Sequence, residues 1–338
     1  MRRRGLARSF LWSRAEVDLN SVARSRMSGP EAATGTAVRV HLGRETEVDF
    51  REPRVGTLFA GRYEIQQVIG EGGMGIVYKA HDRRLEEAVA IKTLRSRGLS
   101  TDAWLLERFK QEIRLARRIT HPNVVRTHDL GDSNGLRFVS MELVEGRTLG
   151  QLIEAEKILP TAAGLRIAKQ VCRGVEAVHQ VGIVHGDIKP QNVMVQASGG
   201  AKIMDFGSAH LASDGGTTAQ GSVVGTLGYM SPEQARGRRL DSRSDIYSLG
   251  IVLYEVFTGA LPFEGDTPLA VALKHVHHAP PLPRSKHAGI DPAIAAIVLK
   301  CIEKDVSARF QSARELHEAL ERATPDRPTA SLEGEAVA

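Results

Sequence analysis

Two short motifs near the middle of the chain carry side chains that suit phosphoryl transfer. The first reads HGDIKPQN and contains Asp187, Lys189 and Asn192; the second reads DFG and begins at Asp205. Asp187 could accept a proton from a hydroxyl group, and Lys189 could neutralise a phosphate during its transfer. Asn192 and Asp205 offer the hard oxygen ligands that Mg²⁺ prefers. A chance match to either motif alone is conceivable, but the two in this order predict a phosphotransferase site.

A glycine-rich stretch lies upstream and could cover the phosphates of a nucleotide. It reads GEGGMGIV, which places Gly70, Gly72, Gly75 and Val77 in the pattern G-x-G-x-x-G-x-V. Glycine suits a backbone that must approach phosphates closely, because a Cβ atom would collide. By itself the pattern is weak, since a simple hairpin turn explains it equally well. The lack of an acidic residue at ribose-binding distance disfavours a dinucleotide fold, whereas the strand AVAIK, which ends at Lys92, favours an ATP site.

Lys92 ends an apolar strand and therefore needs a carboxylate partner. An unpaired lysine in such surroundings would be strongly destabilised or would lose its proton. The next segment has apolar residues at helical spacing, and Glu112 lies beside that apolar stripe. Most glutamates on helices are simply solvated, but the preceding strand makes Glu112 the expected partner of Lys92.

Two further motifs complete a resemblance to a known family. Residues 225–233 read GTLGYMSPE, as at the end of an activation segment, and residues 245–250 read DIYSLG, as at the start of a central helix. With the motifs above, residues 60–322 resemble the eukaryotic-type (Hanks-type) protein Ser/Thr kinases, most closely their bacterial branch. The resemblance implies a mostly buried ion pair between Arg309 and Glu233.

The resemblance also implies an α+β, bilobal protein-kinase fold. We expect a small β-rich N-lobe over residues 60–145 and a larger α-helical C-lobe over residues 148–322, with ATP in the cleft between them. Residues 1–55 lack sustained periodicity and are expected to form a disordered leader. Residues 323–338 are expected to form a disordered tail, because they have no face that could join a core.

The same resemblance assigns roles to individual residues. Asp187 would orient the substrate hydroxyl and accept its proton, and Lys189 would contact the γ-phosphate. Lys92, held by Glu112, would contact the α- and β-phosphates. The expected Mg²⁺ ligands are Asn192 and Asp205. The residues expected to hold ATP are Gly70, Gly72, Gly75, Val77, Ala90, Lys92, Met141 as gatekeeper, Glu142 and Val144 of the hinge, and Met194.

Gly186 departs from the family, which often has Arg between the histidine and the aspartate of this motif. That Arg usually receives the phosphate of a phosphorylated activation loop. Without this Arg, a phosphate on the activation loop lacks its main positively charged partner. We therefore expect basal activity to depend little on loop phosphorylation. Ser231 replaces the usual Ala before Pro232 and Glu233, a change that is common in bacterial relatives and casts no doubt on activity.

The composition fits a globular enzyme. The 338 residues are 42% hydrophobic and 25% charged, which suffices for two lobes with real cores. The net charge of +5 comes largely from Arg clusters, which we interpret as solvated surface, because no nucleic-acid-binding motif accompanies them.

The sequence contains no run of about 18 apolar residues, the length that would predict a membrane span. A cytoplasmic protein is therefore expected. Cys172 and Cys301 lie in apolar helical patterns and are expected to be buried, reduced thiols.

The twelve histidines show no spacing typical of metal ligands. His275, His277 and His278 cluster, but no cysteine or carboxylate is spaced beside them. We therefore interpret all three as surface residues.

Three function classes fit these motifs. The leading one is an active Mg·ATP-dependent kinase that phosphorylates Ser/Thr in proteins, itself included, in bacterial signalling; Lys189-Pro190 and Thr226 favour Ser/Thr over Tyr substrates in this family. The alternative is a pseudokinase that binds ATP as a scaffold, although such proteins generally lack one of the catalytic residues present here. A small-molecule kinase is disfavoured, because those enzymes lack the GTLGYMSPE segment. The chain shows no sensor domain, which suggests control by a separate regulatory protein or by the leader.

Overall fold

The structure is a computed structural model that describes residues 52–72, 75–94, 110–111, 113–205 and 227–323. The predictions for Glu112, for Thr226 and for most of the two expected disordered ends lie outside the described residues.

Antiparallel strands form the sheet of the N-lobe. They are β1 (Leu58–Phe59), β2 (Tyr63–Gly72), β3 (Gly75–Asp82), β4 (Glu87–Thr93), β5 (Thr127–Ser133) and β6 (Leu136–Glu142). Their spatial order is β1-β2-β3-β4-β6-β5, so β4 pairs with β6 rather than with β5. The sheet confirms the predicted β-rich lobe, and its connections are hairpins except between β4 and β5.

Phe138 of β6 packs in the hydrophobic cluster on one face of this sheet. Its ring meets those of Phe59 and Tyr63 edge to face, with centroids 4.9 and 5.6 Å away, the geometry that aromatic quadrupoles prefer. Gly131 of β5 lies opposite, and a Cβ atom there would come within 2.3 Å of the Phe138 ring. The register is therefore well specified, because a shift by one residue would turn these side chains away from the core.

Helices dominate the C-lobe, as predicted. They are α1 (Leu149–Glu156), α2 (Thr161–Gln180), α3 (Pro232–Ala235), α4 (Ser242–Thr258), α5 (Pro268–His277), α6 (Pro283–Lys286), α7 (Pro292–Cys301) and α8 (Ala313–Arg322), with 3-10 turns at Pro190–Asn192 and Val306–Ala308. A small antiparallel sheet adds β7 (Arg147–Thr148), β8 (Val193–Val195) and β9 (Ala201–Ile203). Within the described residues, no helix is both long enough and apolar enough to cross a membrane.

The central helix α4 is buried on nearly all sides, as its almost continuous apolar sequence indicates. Asp241 caps its start by accepting a backbone hydrogen bond, and Gly259 ends it in the left-handed conformation with φ of 72°. Gly250 allows α7 to approach closely, because a Cβ atom there would lie 2.4 Å from Cβ of Cys301. Cys172 and Cys301 are buried, as predicted, and neither takes part in a disulfide in the structure.

Candidate active site

The motif that contains Asp187 folds so that three of the predicted site residues contact one another. Asp187 Oδ2 accepts a hydrogen bond from Lys189 Nζ at 2.7 Å and another from Asn192 Nδ2 at 3.0 Å. Asn192 Nδ2 also donates to the backbone oxygen of Asp187 at 2.8 Å. The 3-10 turn at Pro190–Asn192 brings Asn192 back to Asp187. The carboxylate of Asp187 is thus oriented by two donors, one of them charged.

Gly186 precedes Asp187 and adopts the left-handed conformation, with φ of 68°. Its N–H donates to Asp245 Oδ1 at 2.7 Å, and the N–H of His185 donates to Asp245 Oδ2 at 2.8 Å. The carbonyl oxygen of Gly186 accepts a hydrogen bond from Gln234 Nε2. Asp245 belongs to the central helix α4 and is fully buried. The backbone that carries Asp187 is therefore tied to the buried central helix α4.

Lys92 and Asp205 form an ion pair between the two lobes. Lys92 lies in β4, and Asp205 lies two residues after the end of β9. Lys92 Nζ is 2.6 Å from Asp205 Oδ1, and both side chains are mostly buried. Asp205 has φ of 66°, a left-handed conformation that aspartate adopts more readily than most residues. The expected partner Glu112 lies outside the described residues, so the Lys92–Glu112 pair stays a prediction. The contact with Asp205 joins the lysine expected to bind the α- and β-phosphates to one of the two residues expected to bind Mg²⁺.

The glycines expected to cover ATP lie where β2 and β3 meet. Gly70 pairs with Val77 and Gly72 pairs with Gly75, while Val77 pairs on its other side with Lys92 of β4. The glycine-rich hairpin is therefore one strand away from the lysine expected to contact the phosphates.

Thr93, next to Lys92, fastens the base of this hairpin. Its hydroxyl donates to the Ile76 carbonyl at 3.2 Å and lies 3.3 Å from the Ile76 N–H, which donates to it. Gly75 has φ of 151°, and a Cβ atom there would lie 1.7 Å from the Thr93 carbonyl oxygen. Only glycine permits this approach of β3 to β4.

The predicted hinge follows β6. Met141 and Glu142 end this strand, and Val144 lies two residues beyond it, half-buried. The Glu142 carboxylate accepts two hydrogen bonds from Lys202 Nζ, at 2.7 and 2.9 Å. Because Lys202 belongs to β9, this ion pair connects the hinge to the small sheet of the C-lobe.

The two residues expected to sandwich adenine lie on the sheets of different lobes. Ala90 of β4 is buried and pairs with Met141. Met194 of β8 is half-buried and pairs with Lys202. Both positions border the hinge, and their contact with a nucleotide remains a prediction.

Asn192 and Asp205 are the residues whose chemistry fits a magnesium ion. The Met204 N–H donates to the backbone oxygen of Asn192 at 3.0 Å, so the two segments are adjacent. Asn192 uses its Nδ2 toward Asp187, so its amide oxygen could bind a cation, and Asp205 adds a carboxylate. This small, all-oxygen donor set suits Mg²⁺, which completes its shell with water and phosphate oxygens. The described residues contain no cluster of three or more His, Cys, Asp or Glu side chains that could hold a metal alone.

The sequence motifs give no role to three residues beside the site. Asp245 lies in the DIYSLG motif, which predicts only the start of a helix; an acid next to the almost continuous apolar run of that helix is the signal that could have indicated its role. Thr93 and Lys202 occupy ordinary strand positions in the sequence, so only their tertiary contacts identify them.

The interpretation of the histidine cluster was wrong at one position. His275 is fully buried, whereas His277 and His278 are exposed. His275 lies one helical turn after buried Val271, on the inward face of α5.

The predicted ion pair between Arg309 and Glu233 is confirmed. Arg309 Nη2 lies 2.7 Å from Glu233 Oε1, and the Arg309 side chain is wholly buried.

The sequence model of the family described as "Protein kinase domain" matches residues 63–321 of this chain. The chain belongs to the protein kinase family. Membership accounts for the two lobes and for the order of the motifs along them.

Curated relatives of this chain include bacterial Ser/Thr kinases. The serine/threonine-protein kinase PknB of Mycobacterium tuberculosis is 40% identical over 267 residues, which cover 77% of this chain and 42% of that protein. PknB of Mycolicibacterium smegmatis is 40% identical over 284 residues, which cover 81% of this chain and 45% of that protein. The chain thus spans less than half the length of these relatives.

Solved kinase structures share the fold. The kinase domain of Mycobacterium tuberculosis PknI aligns with a TM-score of 0.64 and 26% identity, over 80% of this chain and 98% of that chain. A Rad53 structure in complex with AMP-PNP aligns with a TM-score of 0.64 and 25% identity, over 77% of this chain and 65% of that chain.

Proposed function

We propose that this chain is an active protein Ser/Thr kinase that transfers the γ-phosphate of ATP to Ser/Thr hydroxyls of proteins. The observation that carries the proposal is the set of hydrogen bonds around Asp187. Its carboxylate is oriented by Lys189 and Asn192. Lys92 and Asp205 form an ion pair, and the motifs that contain them follow one another along the chain in the order expected of a nucleotide site. A scaffold has no need for such an oriented base.

The chemical step requires only positioning and charge stabilisation from these residues. The oxygen of a substrate Ser or Thr attacks the γ-phosphorus as the bond between that phosphorus and the β,γ-bridging oxygen breaks, and ADP leaves. Asp187 accepts the hydroxyl proton. Lys189, 2.7 Å from Asp187, is near enough to stabilise the negative charge of the phosphoryl group in transfer.

We assign ATP to the cleft between the lobes. Lys92 would bind the α- and β-phosphates, and the glycine-rich hairpin would cover them. The adenine ring would lie against the hinge at Glu142 and Val144. Asn192 and Asp205 would hold Mg²⁺, which supplies neutralisation of the phosphate charge when it is bound.

The catalytic unit is proposed to span residues 60–322. We also propose that a protein outside this chain or the leader regulates it, and that it works in bacterial signalling, as do kinases of this type. The pseudokinase alternative is not favoured, because the catalytic Asp and Lys and both residues for the metal ion are present.

Transfer of labelled phosphate tests the proposal. Wild type and Asp187→Asn are incubated with Mg·ATP, and incorporation into the protein itself and into dephosphorylated casein is measured. Loss of the proton acceptor should reduce the rate by about 10²- to 10⁴-fold. Asp266→Asn makes the same chemical change at an exposed position and should leave the rate unchanged.

Nucleotide binding separates the alternatives. Asp187→Asn should still gain thermal stability with Mg·ATP, because it retains Lys92 and Asp205. A wild type that binds nucleotide but incorporates no phosphate would refute kinase activity and support the scaffold.

A further inference from the structure

The side chain of Gln234 bridges α3 and the catalytic loop (residues 185–192). Its Oε1 accepts a hydrogen bond from the N–H of Ser231 at 2.8 Å, within the capping box that starts α3. Its Nε2 donates to the carbonyl oxygen of Gly186, which lies 48 positions earlier and next to Asp187. Because one partner is a backbone donor and the other a backbone acceptor, the two bonds fix the orientation of the amide. Both ends of the side-chain amide are therefore engaged, each by a different part of the chain.

The bond to Gly186 acts on the peptide group that joins Gly186 to Asp187. The carbonyl oxygen of that group accepts from Gln234, and its N–H, which belongs to Asp187, donates to His185 Nδ1 at 3.3 Å. Gly186 is buried, so its carbonyl oxygen needs a partner inside the protein. A rotation of this peptide group would turn the Cα–Cβ bond of Asp187 and move its carboxylate. The bond from Gln234 therefore bears on where the expected proton acceptor lies.

Two other contacts hold the segment around the start of α3. The Tyr229 hydroxyl donates to Glu255 Oε2 of α4 at 2.6 Å. The Glu233 carboxylate accepts from Arg309 at 2.7 and 3.2 Å. These contacts fasten the segment to the core of the C-lobe, and Gln234 extends the connection to the catalytic loop.

The two hydrogen bonds of the Gln234 side chain join neutral groups. The bridge therefore forms without a phosphate on the activation loop, and salt does not screen it as it screens an exposed ion pair. Gly186 itself offers no charge to such a phosphate. The chain thus has a neutral connection to the same residue position at which the family often has Arg.

We propose that Gln234 is a positioning residue for phosphoryl transfer, which holds the peptide group between Gly186 and Asp187 and so sets the position of the Asp187 carboxylate. The bridge also makes that position depend on the placement of α3. The inference rests on the proposed kinase function and concerns the rate of transfer rather than the binding of ATP.

Two substitutions of Gln234 separate its two hydrogen bonds. Gln234→Glu, assayed at about pH 8 with the carboxylate ionised, keeps the acceptor for Ser231 but cannot donate to Gly186. Gln234→Lys keeps a donor and removes the acceptor. With casein as substrate, kcat of Gln234→Glu should fall about fivefold to thirtyfold with KM for ATP unchanged, because a buried carbonyl loses its donor. Gln234→Lys should retain most of kcat.

The chain offers a matched control for the charge change. Gln151 completes the same kind of capping box with Thr148 at the start of α1, and it is exposed. Glutamate suits this position of a capping box as well as glutamine does, so Gln151→Glu should keep wild-type kcat. All rates are measured on folded protein well below Tm, where a side chain that only stabilises the fold leaves kcat unchanged.

Hydrogen exchange followed by mass spectrometry tests the bridge without reference to activity. The N–H groups of His185 and Gly186 are bound by Asp245, so their exchange reports opening of the catalytic loop. Peptides that cover this loop should exchange faster in Gln234→Glu than in the wild type, and at the wild-type rate in Gln151→Glu.

The outcomes separate this inference from the proposed function. An unchanged kcat in Gln234→Glu, or equal losses of kcat in Gln234→Glu and Gln234→Lys, overturns the positioning role alone. So does a rise of KM for ATP as large as the fall of kcat, since the effect would then lie at the nucleotide. A wild type that transfers no phosphate defeats the kinase assignment, and unchanged exchange of the catalytic loop in Gln234→Glu would still overturn the bridge.

Discussion

Replacement of Gly186 by alanine tests how the catalytic loop is held. Gly186 has φ of 68°, and both of its backbone hydrogen-bonding groups are engaged, the N–H by Asp245 and the carbonyl by Gln234. The loop cannot relax to a right-handed conformation without breaking these bonds. The strain of an alanine at this position must therefore appear as lost stability or as displacement of Asp187.

The expected magnitude follows from the backbone conformation. A left-handed conformation costs an L-residue about 1–2 kcal/mol, and alanine returns about 0.4–1 kcal/mol by restricting the unfolded chain. With the middle of each range, Gly186→Ala should be destabilised by about 0.8 kcal/mol. For a catalytic unit of this size each kcal/mol lowers Tm by about 2–4 °C, so Tm should fall by about 2–3 °C.

Thermal unfolding and steady-state kinetics together form the assay. Gly182→Ala is the matched control, because Gly182 has φ of 78° and a Cβ atom there would have no neighbour within 4 Å. Both variants should lose similar stability. Only Gly186→Ala should also lower kcat, by up to about tenfold, since 1.4 kcal/mol of strain can shift the loop population by that factor.

Two results would refute this reasoning. If Gly186→Ala unfolds at the wild-type temperature, the left-handed conformation at this position is not required in solution. If both variants lower kcat equally, the loss does not come from the loop that carries Asp187.

Two further predictions concern the hairpin and the activation loop. Thr93→Val preserves shape but removes the hydroxyl that binds Ile76, so KM for ATP should rise about twofold to tenfold with little change in KM for casein; equal changes in both would contradict a role at the hairpin. Replacing Thr217, Thr218 and Ser222 together by Ala should leave the rate nearly unchanged, because Gly186 offers no charge to a loop phosphate, and a loss beyond about tenfold in a kinase assay would disprove this.

The local motifs determined the fold class and most of the candidate site. These motifs reflect chemistry that acts over a few residues. They are the spacing of the glycines, the lysine at the end of an apolar strand, and the motif that contains the catalytic Asp, Lys and Asn. Asp187, Lys189 and Asn192 lie within six positions of one another, so their contacts could be anticipated without the fold. The apolar run of α4 likewise indicated a buried central helix.

The tertiary structure alone decided which distant residues meet. Lys92 and Asp205 are separated by 113 positions, and the pairing of Lys202 with Glu142 and of Asp245 with Gly186 depends on how sheets and helices pack. His275 shows the limit most clearly, because one turn of α5 carries it into the core while His277 faces solvent. Sequence spacing reports the periodicity of an element, but the burial of a polar side chain depends on what packs against that element, which local sequence does not encode.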